Sequence, residues 1–252
     1  MIFDTHAHYD AGQFDADREA LLSAMPEKGV GLIVDPGCDE ASSLAAIELA
    51  GRYEHVYAAV GWHPEEWESW SAGSMFRLRE LVEQPKVVAI GEIGLDYYWD
   101  REHTALQREM FERQLCLAIE RDLPVIVHDR EAHADCLETV ACYPEARGVF
   151  HCFSGSAEMA AELLRRGWYL GFDGPVTYKN NKKAAQVLEV TPPERILVET
   201  DSPYMAPEPV RGRRNDSSNL KYVIARIAQI KGMTAEDMER ITWENGKRLF
   251  GI

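Results

Sequence analysis

Two histidines stand near the start of the chain, in Phe3-Asp4-Thr5-His6-Ala7-His8, at spacing i and i+2. On an extended backbone that spacing sends both side chains to the same side, so two imidazoles can reach one cation. Two more histidines each follow an apolar run directly: His128 after Val125-Ile126-Val127, and His151 after Val149-Phe150. Glu92 follows the run Val87–Ile90, where no helix face would solvate a carboxylate. A cation or a catalytic role is the expected use of such a group. Asp201 lies in Glu199-Thr200-Asp201-Ser202-Pro203, just past another apolar run. It can ligate a metal or accept the proton of an attacking water, with Glu199 supporting the site from behind. Four histidines and two carboxylates suffice for two divalent ions that share one carboxylate. Ions held ~3.5–4 Å apart clamp the attacking and leaving oxygens of a phosphate ester. Nitrogen and oxygen donors suit Zn²⁺, Mn²⁺ or similar ions more naturally than a purely oxygen-bound Mg²⁺.

These residues need elements to position them. Short apolar, β-branched runs recur along the chain: Ile2–Thr5, Val30–Val34, Val56–Val60, Val87–Ile90, Pro124–Val127, Gly148–Phe150, Trp168–Phe172 and Arg195–Val198. Continuous apolar runs predict strands buried on both faces of a parallel sheet. Amphipathic stretches lie between them, such as Ala41–Arg52 and Thr104–Arg121. A last helix opens at Thr234-Ala-Glu-Asp237, close to a capping box, and runs to Phe250. Eight strand–helix units predict an α/β chain folded as a (β/α)8 TIM-type barrel, a single domain over residues 1–252, and the ligand set above makes a metal-dependent hydrolase the expected use of that domain. An open doubly wound sheet is the alternative. A dinucleotide fold is disfavoured, because no G-x-G-x-x-G follows the first run. In a barrel, every residue named above falls at a strand C-terminus, where such folds build active sites.

The chain has 252 residues, 46% apolar and 27% charged, which excludes a disordered, coiled-coil or collagen-like protein. No apolar run approaches the ~20 residues of a membrane span. The opening residues lack the basic and apolar regions of a secretory signal, so a cytoplasmic location is expected. The five cysteines (Cys38, Cys116, Cys136, Cys142, Cys152) show no CxxC spacing. They are expected to be reduced, each a small buried apolar residue. Net charge is −15, and residues 1–126 hold 10 Lys/Arg against 24 Asp/Glu, whereas residues 127–252 hold 17 against 18. Such a chain is a poor bulk-electrostatic binder of duplex DNA, so nucleic acid would be handled through local cations and bound metal.

In its ordered motifs the chain resembles the TatD family of metal-dependent deoxyribonucleases, within the amidohydrolase-like barrels. The resemblance spans the chain: Phe3–His8, Gly61-Trp62-His63-Pro64, Gly91-Glu92-Ile93-Gly94-Leu95-Asp96, Gln107 to Gln114, and Leu123–His128. It continues through His151-Cys152-Phe153-Ser154-Gly155, Glu199–Tyr204, Arg214-Asn215 and Asn245–Phe250. The resemblance implies His6, His8 and Asp201 on one metal, His128 and His151 on a second, and Glu92 bridging. It implies hydrolysis of phosphodiesters in DNA, by exonuclease action at 3′ ends of single strands. One departure is Arg214-Asn215-Asp216-Ser217, where the family usually has Arg-Asn-Glu-Pro.

His63 is a candidate substrate contact or a turn residue before Pro64. Tyr97, Tyr98 and Trp99 could stack bases at ~1–3 kcal/mol each, or pack the barrel rim. Arg211, Arg213 and Arg214 form the densest basic cluster and are candidate phosphate contacts. His55, His103 and His133 fall outside the strand-end pattern and are expected not to be ligands. A metal hydrolase of an ester, amide or lactone on the same barrel is the alternative reading. Relatives of that kind often place a modified lysine at the fourth strand, where this chain has Glu92. A catalytically silent binding protein would need a lost ligand, and all six candidates are present. The expected partner is DNA, with no membrane and no obligate protein partner.

Overall fold

The computed structural model describes residues 1–252. Eight parallel strands pair in chain order: β1 (Ile2–Asp4), β2 (Val30–Pro36), β3 (Val56–Val60), β4 (Val87–Asp96), β5 (Val125–Arg130), β6 (Gly148–Phe150), β7 (Tyr169–Phe172) and β8 (Ile196–Val198). The helices are α1 (Arg18–Ala24), α2 (Glu40–Arg52), α3 (Ser74–Leu81), α4 (Thr104–Glu120), α5 (His133–Ala141), α6 (Ala157–Arg165), α7 (Lys182–Val190), α8 (Leu220–Lys231) and α9 (Ala235–Phe250). At least one helix follows every strand, which is the predicted TIM-type barrel rather than an open sheet.

The ends of the sheet meet. The Thr5 amide donates to the Val198 carbonyl at 3.2 Å, the Asp201 amide to His6 at 2.9 Å and the His8 amide to Ser202 at 2.8 Å. The buried Asp4 carboxylate accepts the Thr200 amide at 3.0 Å and its hydroxyl at 2.6 Å. These bonds satisfy the edges that β1 and β8 would otherwise expose.

Every strand contributes to one buried cluster, among them Phe3, Val34, Ala59, Ala89, Ile126, Val149, Tyr169 and Leu197, and Leu249 and Phe250 of α9 join it. That cluster is the barrel interior, with α9 packed against it. A buried aliphatic of this kind stabilises by roughly 1.5–3 kcal/mol. A larger core lies between the sheet and the surrounding helices. The strand period of two carries the interior face onward from these residues. Two residues beyond Ile126 and Val149 come His128 and His151. Beyond Leu197 come Glu199 and then Asp201.

Two expectations change. β4 does not stop at Ile90 but runs on to Asp96, and β5 runs to Arg130, so Glu92 and His128 lie within strands rather than after them. The β4–β5 register slips between Ile90 and Ile93, which flips the alternation and brings Glu92, not Gly91, to the interior. Gly94 permits the tight pairing that follows. Its φ is +149°, and a Cβ there would lie 2.0 Å from the His128 carbonyl oxygen. The cysteines are also not uniformly buried. Cys116 and Cys142 are exposed, Cys38 and Cys152 are half-buried, and Cys136 alone is buried. The two exposed ones ride on or at the end of helices, on faces turned to solvent.

Candidate metal centre

His6 and His8 converge as their spacing predicts, with Nε2 atoms 3.0 Å apart. The His8 Nδ1 lies 3.2 Å from the Pro36 carbonyl and must donate to it, so in the neutral ring the lone pair is on Nε2. Asp201 Oδ1 sits 3.6 Å from His6 Nε2 and 3.5 Å from His8 Nε2. The Asp201 backbone is left-handed, with φ +52°. Such a conformation costs ~1–3 kcal/mol and clusters at functional sites.

Glu92 divides its two oxygens between two sets of rings. Oε2 lies 3.3 Å from His6 Nε2 and 3.5 Å from His8 Nε2. Oε1 lies 2.7 Å from His151 Nε2 and 2.8 Å from His128 Nδ1. The His128 and His151 nitrogens are themselves 3.2 Å apart. All six sequence candidates therefore meet in one place at the C-terminal mouth of the barrel.

The donors fit divalent cations. Pairs of ring nitrogens at 3.0 and 3.2 Å, with carboxylate oxygens beside them, bring acceptor lone pairs together. Positive charge must stand among them. Burial alone would raise the Glu92 carboxyl, but the rings of His151, His6 and His63 overcome it and hold Glu92 well below the usual carboxylate range. Burial would lower His128, yet Asp96 and Glu92 lift it to about 10. Burial and the neighbouring His151 press His6 down to about 4, a neutral ring ready to ligate. Two divalent ions would supply that charge: His6, His8 and Asp201 form one group of donors, while His128 and His151 meet at the other Glu92 oxygen, Oε1.

Residues around this core orient it. Asp96 Oδ2 holds His128 Nε2 at 3.0 Å, and Asp96 Oδ1 accepts the Tyr98 and Trp99 amides, both at 2.9 Å. Asp96 thus fixes the His128 ring with Nδ1 turned inward. Sequence reasoning quoted Asp96 but gave it no role. The available signal was its even spacing, four residues past Glu92, which on an extended run puts both carboxylates on one face. Glu199 is fully buried, accepts the Cys152 amide, and lies 3.7 Å from His151 Nδ1.

His63 also reaches the centre. Its Nδ1 accepts the Glu65 amide at 3.2 Å, so its proton sits on Nε2, 3.6 Å from Glu92 Oε1. The arginines behave differently from one another. Arg214 is bound to Asp17 at 2.8 and 2.6 Å, tying the loop after β8 to the start of α1. Arg211 stacks over Tyr178 at 4.1 Å. Arg213 donates its backbone amide to the Val210 carbonyl at 3.2 Å, and its side chain makes no hydrogen bond or ion pair. None of the three joins the metal-ligand cluster. Asp216 caps a short turn by accepting the Ser218 amide at 2.9 Å. His103 stacks on Trp67 and His133 bonds Asp129, both outside the cluster.

A cavity of about 330 Å³ opens beside the centre, lined by His128, His151 and Asp201 at one end and by Arg130, Asn181 and Lys183 further out. At its rim Arg130 stacks 4.1 Å over Tyr98 and 5.4 Å from Trp99, two exposed aromatics.

The family model for TatD-related DNases matches residues 3–251. The chain is 44% identical to the metal-dependent hydrolase YabD of Bacillus subtilis (strain 168), covering all of both chains. It is 35% identical to the 3′-5′ ssDNA/RNA exonuclease TatD of Cronobacter sakazakii, over 99% of this chain and 97% of that one. Among solved structures, the TatD homologue YjjV of Escherichia coli K12 superposes with a TM-score of 0.94 at 32% identity, over 100% of this chain and 98% of that chain.

Proposed function

The chain belongs to the family of TatD-related DNases, and we propose that it hydrolyses phosphodiester bonds at the 3′ ends of single-stranded DNA, using two divalent cations at the barrel mouth. It is a metal-dependent hydrolase. The observation that carries the two-cation reading is the division of Glu92, one oxygen to His6 and His8 and the other to His128 and His151. Preference for single-strand 3′ ends is supported by the Cronobacter relative's name.

Divalent cations would supply Lewis-acid charge to the phosphate and to the attacking water. Asp201 lies beside both His6 and His8 and accepts the proton that the water loses. Glu92, unprotonated at neutral pH, holds the two halves of the centre in register. His63 donates a hydrogen bond from its Nε2–H to a non-bridging phosphate oxygen. Arg130 and Lys183 neutralise phosphates along the cavity, while Tyr98 and Trp99 stack bases. Local cations at the mouth thus offset the acidity of the chain as a whole. No helix is long and apolar enough to cross a membrane. Five unpaired cysteines, two of them exposed, support a cytoplasmic location.

The test is digestion of end-labelled single-stranded oligonucleotides by metal-analysed protein, with and without chelator, beside bis-p-nitrophenyl phosphate and a panel of p-nitrophenyl esters. Chelator-sensitive release from the 3′ end is expected. Turnover of esters with no phosphodiester cleavage would overturn the reading.

A further inference from the structure

The loop between β2 and α2 brings a sulfur to the centre that sequence reasoning set aside. The Cys38 Sγ, a ring nitrogen of His8 and a carboxylate oxygen of Glu92 all lie within 4.8 Å of one another. Its backbone is held from three sides. The Cys38 amide donates to Ser42 Oγ at 2.8 Å, the His63 amide donates to the Cys38 carbonyl at 2.8 Å, and the Glu92 amide donates to the adjacent Gly37 carbonyl at 2.8 Å. Gly37 is required for this approach, since a Cβ there would sit 2.3 Å from Ser43 Oγ. Ser42 is in turn fixed by the capping box it forms with Asp39 at the start of α2. The other half-buried thiol, Cys152, donates to Asp173 at 3.2 Å. Cys38 has no such carboxylate partner.

A second observation points the same way. Asp35, on β2 just before this loop, is fully buried, and neither carboxylate oxygen has a hydrogen-bond partner. That carboxylate, the Asp10 carboxylate and a ring nitrogen of His8 also lie within 4.8 Å of one another. The side of the centre facing β2 therefore presents both Asp35 carboxylate oxygens and Asp10 Oδ1 without hydrogen-bond partners, an arrangement suited to a cation.

We infer that Cys38 is a further ligand of the cation held by His6, His8 and Asp201, and that its sulfur biases this position toward thiophilic ions such as Zn²⁺, Co²⁺ or Cd²⁺ over Mg²⁺. The inference rests on the two-cation reading above. On binding, the thiol proton leaves to solvent and a sulfur–metal bond forms, with no change of oxidation state. Soft sulfur donors select such ions, whereas a nitrogen and oxygen set alone discriminates less.

Cobalt substitution tests this without recourse to activity. Metal-stripped wild type and Cys38→Ser, each first shown to melt cooperatively, are titrated with Co²⁺ alone. Wild type should show visible d–d bands together with a near-ultraviolet sulfur-to-cobalt charge-transfer band. Cys38→Ser should keep the d–d bands and lose the charge-transfer band, although its other four cysteines remain. Competition of Cd²⁺ against Mn²⁺ should shift toward Mn²⁺ by roughly 10–100-fold in the variant, the range by which altered metal surroundings change affinity. Visible bands without charge transfer in wild type, or equal Cd²⁺/Mn²⁺ preference in both proteins, would overturn the role of Cys38 and leave the centre intact. Absence of all cobalt bands in both proteins would overturn the centre itself, and the sulfur ligand with it.

Discussion

The buried Asp96 and the half-buried His128 form a pair, Oδ2 to Nε2 at 3.0 Å, that leaves the ring's other nitrogen 2.8 Å from Glu92 Oε1. Carboxylates behind a ligating imidazole fix its tautomer and raise its basicity. Asp96→Asn keeps the shape but can present its amide NH₂ to the ring, so the inward nitrogen gains a proton. The second cation should then bind ~10–100-fold more weakly. Metal analysis after dialysis should fall from two ions per chain toward one, and retention of two at wild-type affinity would refute the orienting role.

Glu92→Gln removes the charge that holds two cations together while preserving volume. Stoichiometry should drop and kcat should fall by orders of magnitude, with circular dichroism unchanged. Near wild-type turnover in a folded variant would contradict the bridge.

Asp201→Asn should lose far more kcat than substrate affinity, because proton acceptance is an interaction that grows in the transition state. Relief of a capping or structural role would instead lower Tm and spare kcat. Both quantities are to be read on one preparation, and a destabilised but fully active enzyme would exclude Asp201 from the chemistry.

The pH dependence of stability should carry the signature of Asp173. Burial, with the like charge of Asp201, raises its carboxyl from 3.8 to about 7. Between those values the folded chain binds more protons at this position than the unfolded chain does. The contribution is therefore full at low pH and is lost as pH rises through about 7. In chelator-treated protein, denaturant titrations across this window should show a falling stability that Asp173→Asn flattens. Parallel pH profiles for the two proteins would show that Asp173 is not the source.

Much of this was legible in the chain. Apolar runs of a buried parallel sheet announced eight strands, and the strand period of two explains why His128 and His151 face inward once Ile126 and Val149 do. Glu92 was found for the right chemical reason but placed after its strand. The register slip between Ile90 and Ile93 is a property of two paired strands, and no local pattern reports it. Asp96 and Cys38 escaped for a related reason. Their importance comes from what lies across the barrel mouth, not from neighbours in sequence. The arginines show the converse, since a dense basic cluster looked like one phosphate site, yet Arg214 is spent on Asp17 from the other end of the chain.

The seam where Asp4 grips Thr200 sets an order on when the enzyme can exist. One of the two proposed cation positions would draw on His6 and His8 from the first residues and on Asp201 from the loop just past β8. During synthesis the amino end must wait for β8 to leave the ribosome before that position can be assembled. A nascent nuclease with seven strands is a barrel with a gap at its first metal position. Chain termination before residue 201 would release a protein that lacks this ligand altogether, so truncated products are disarmed by topology alone. Fusing β8 and its loop ahead of β1, by circular permutation, would remove that delay and should yield ribosome-stalled chains that already bind metal at this position.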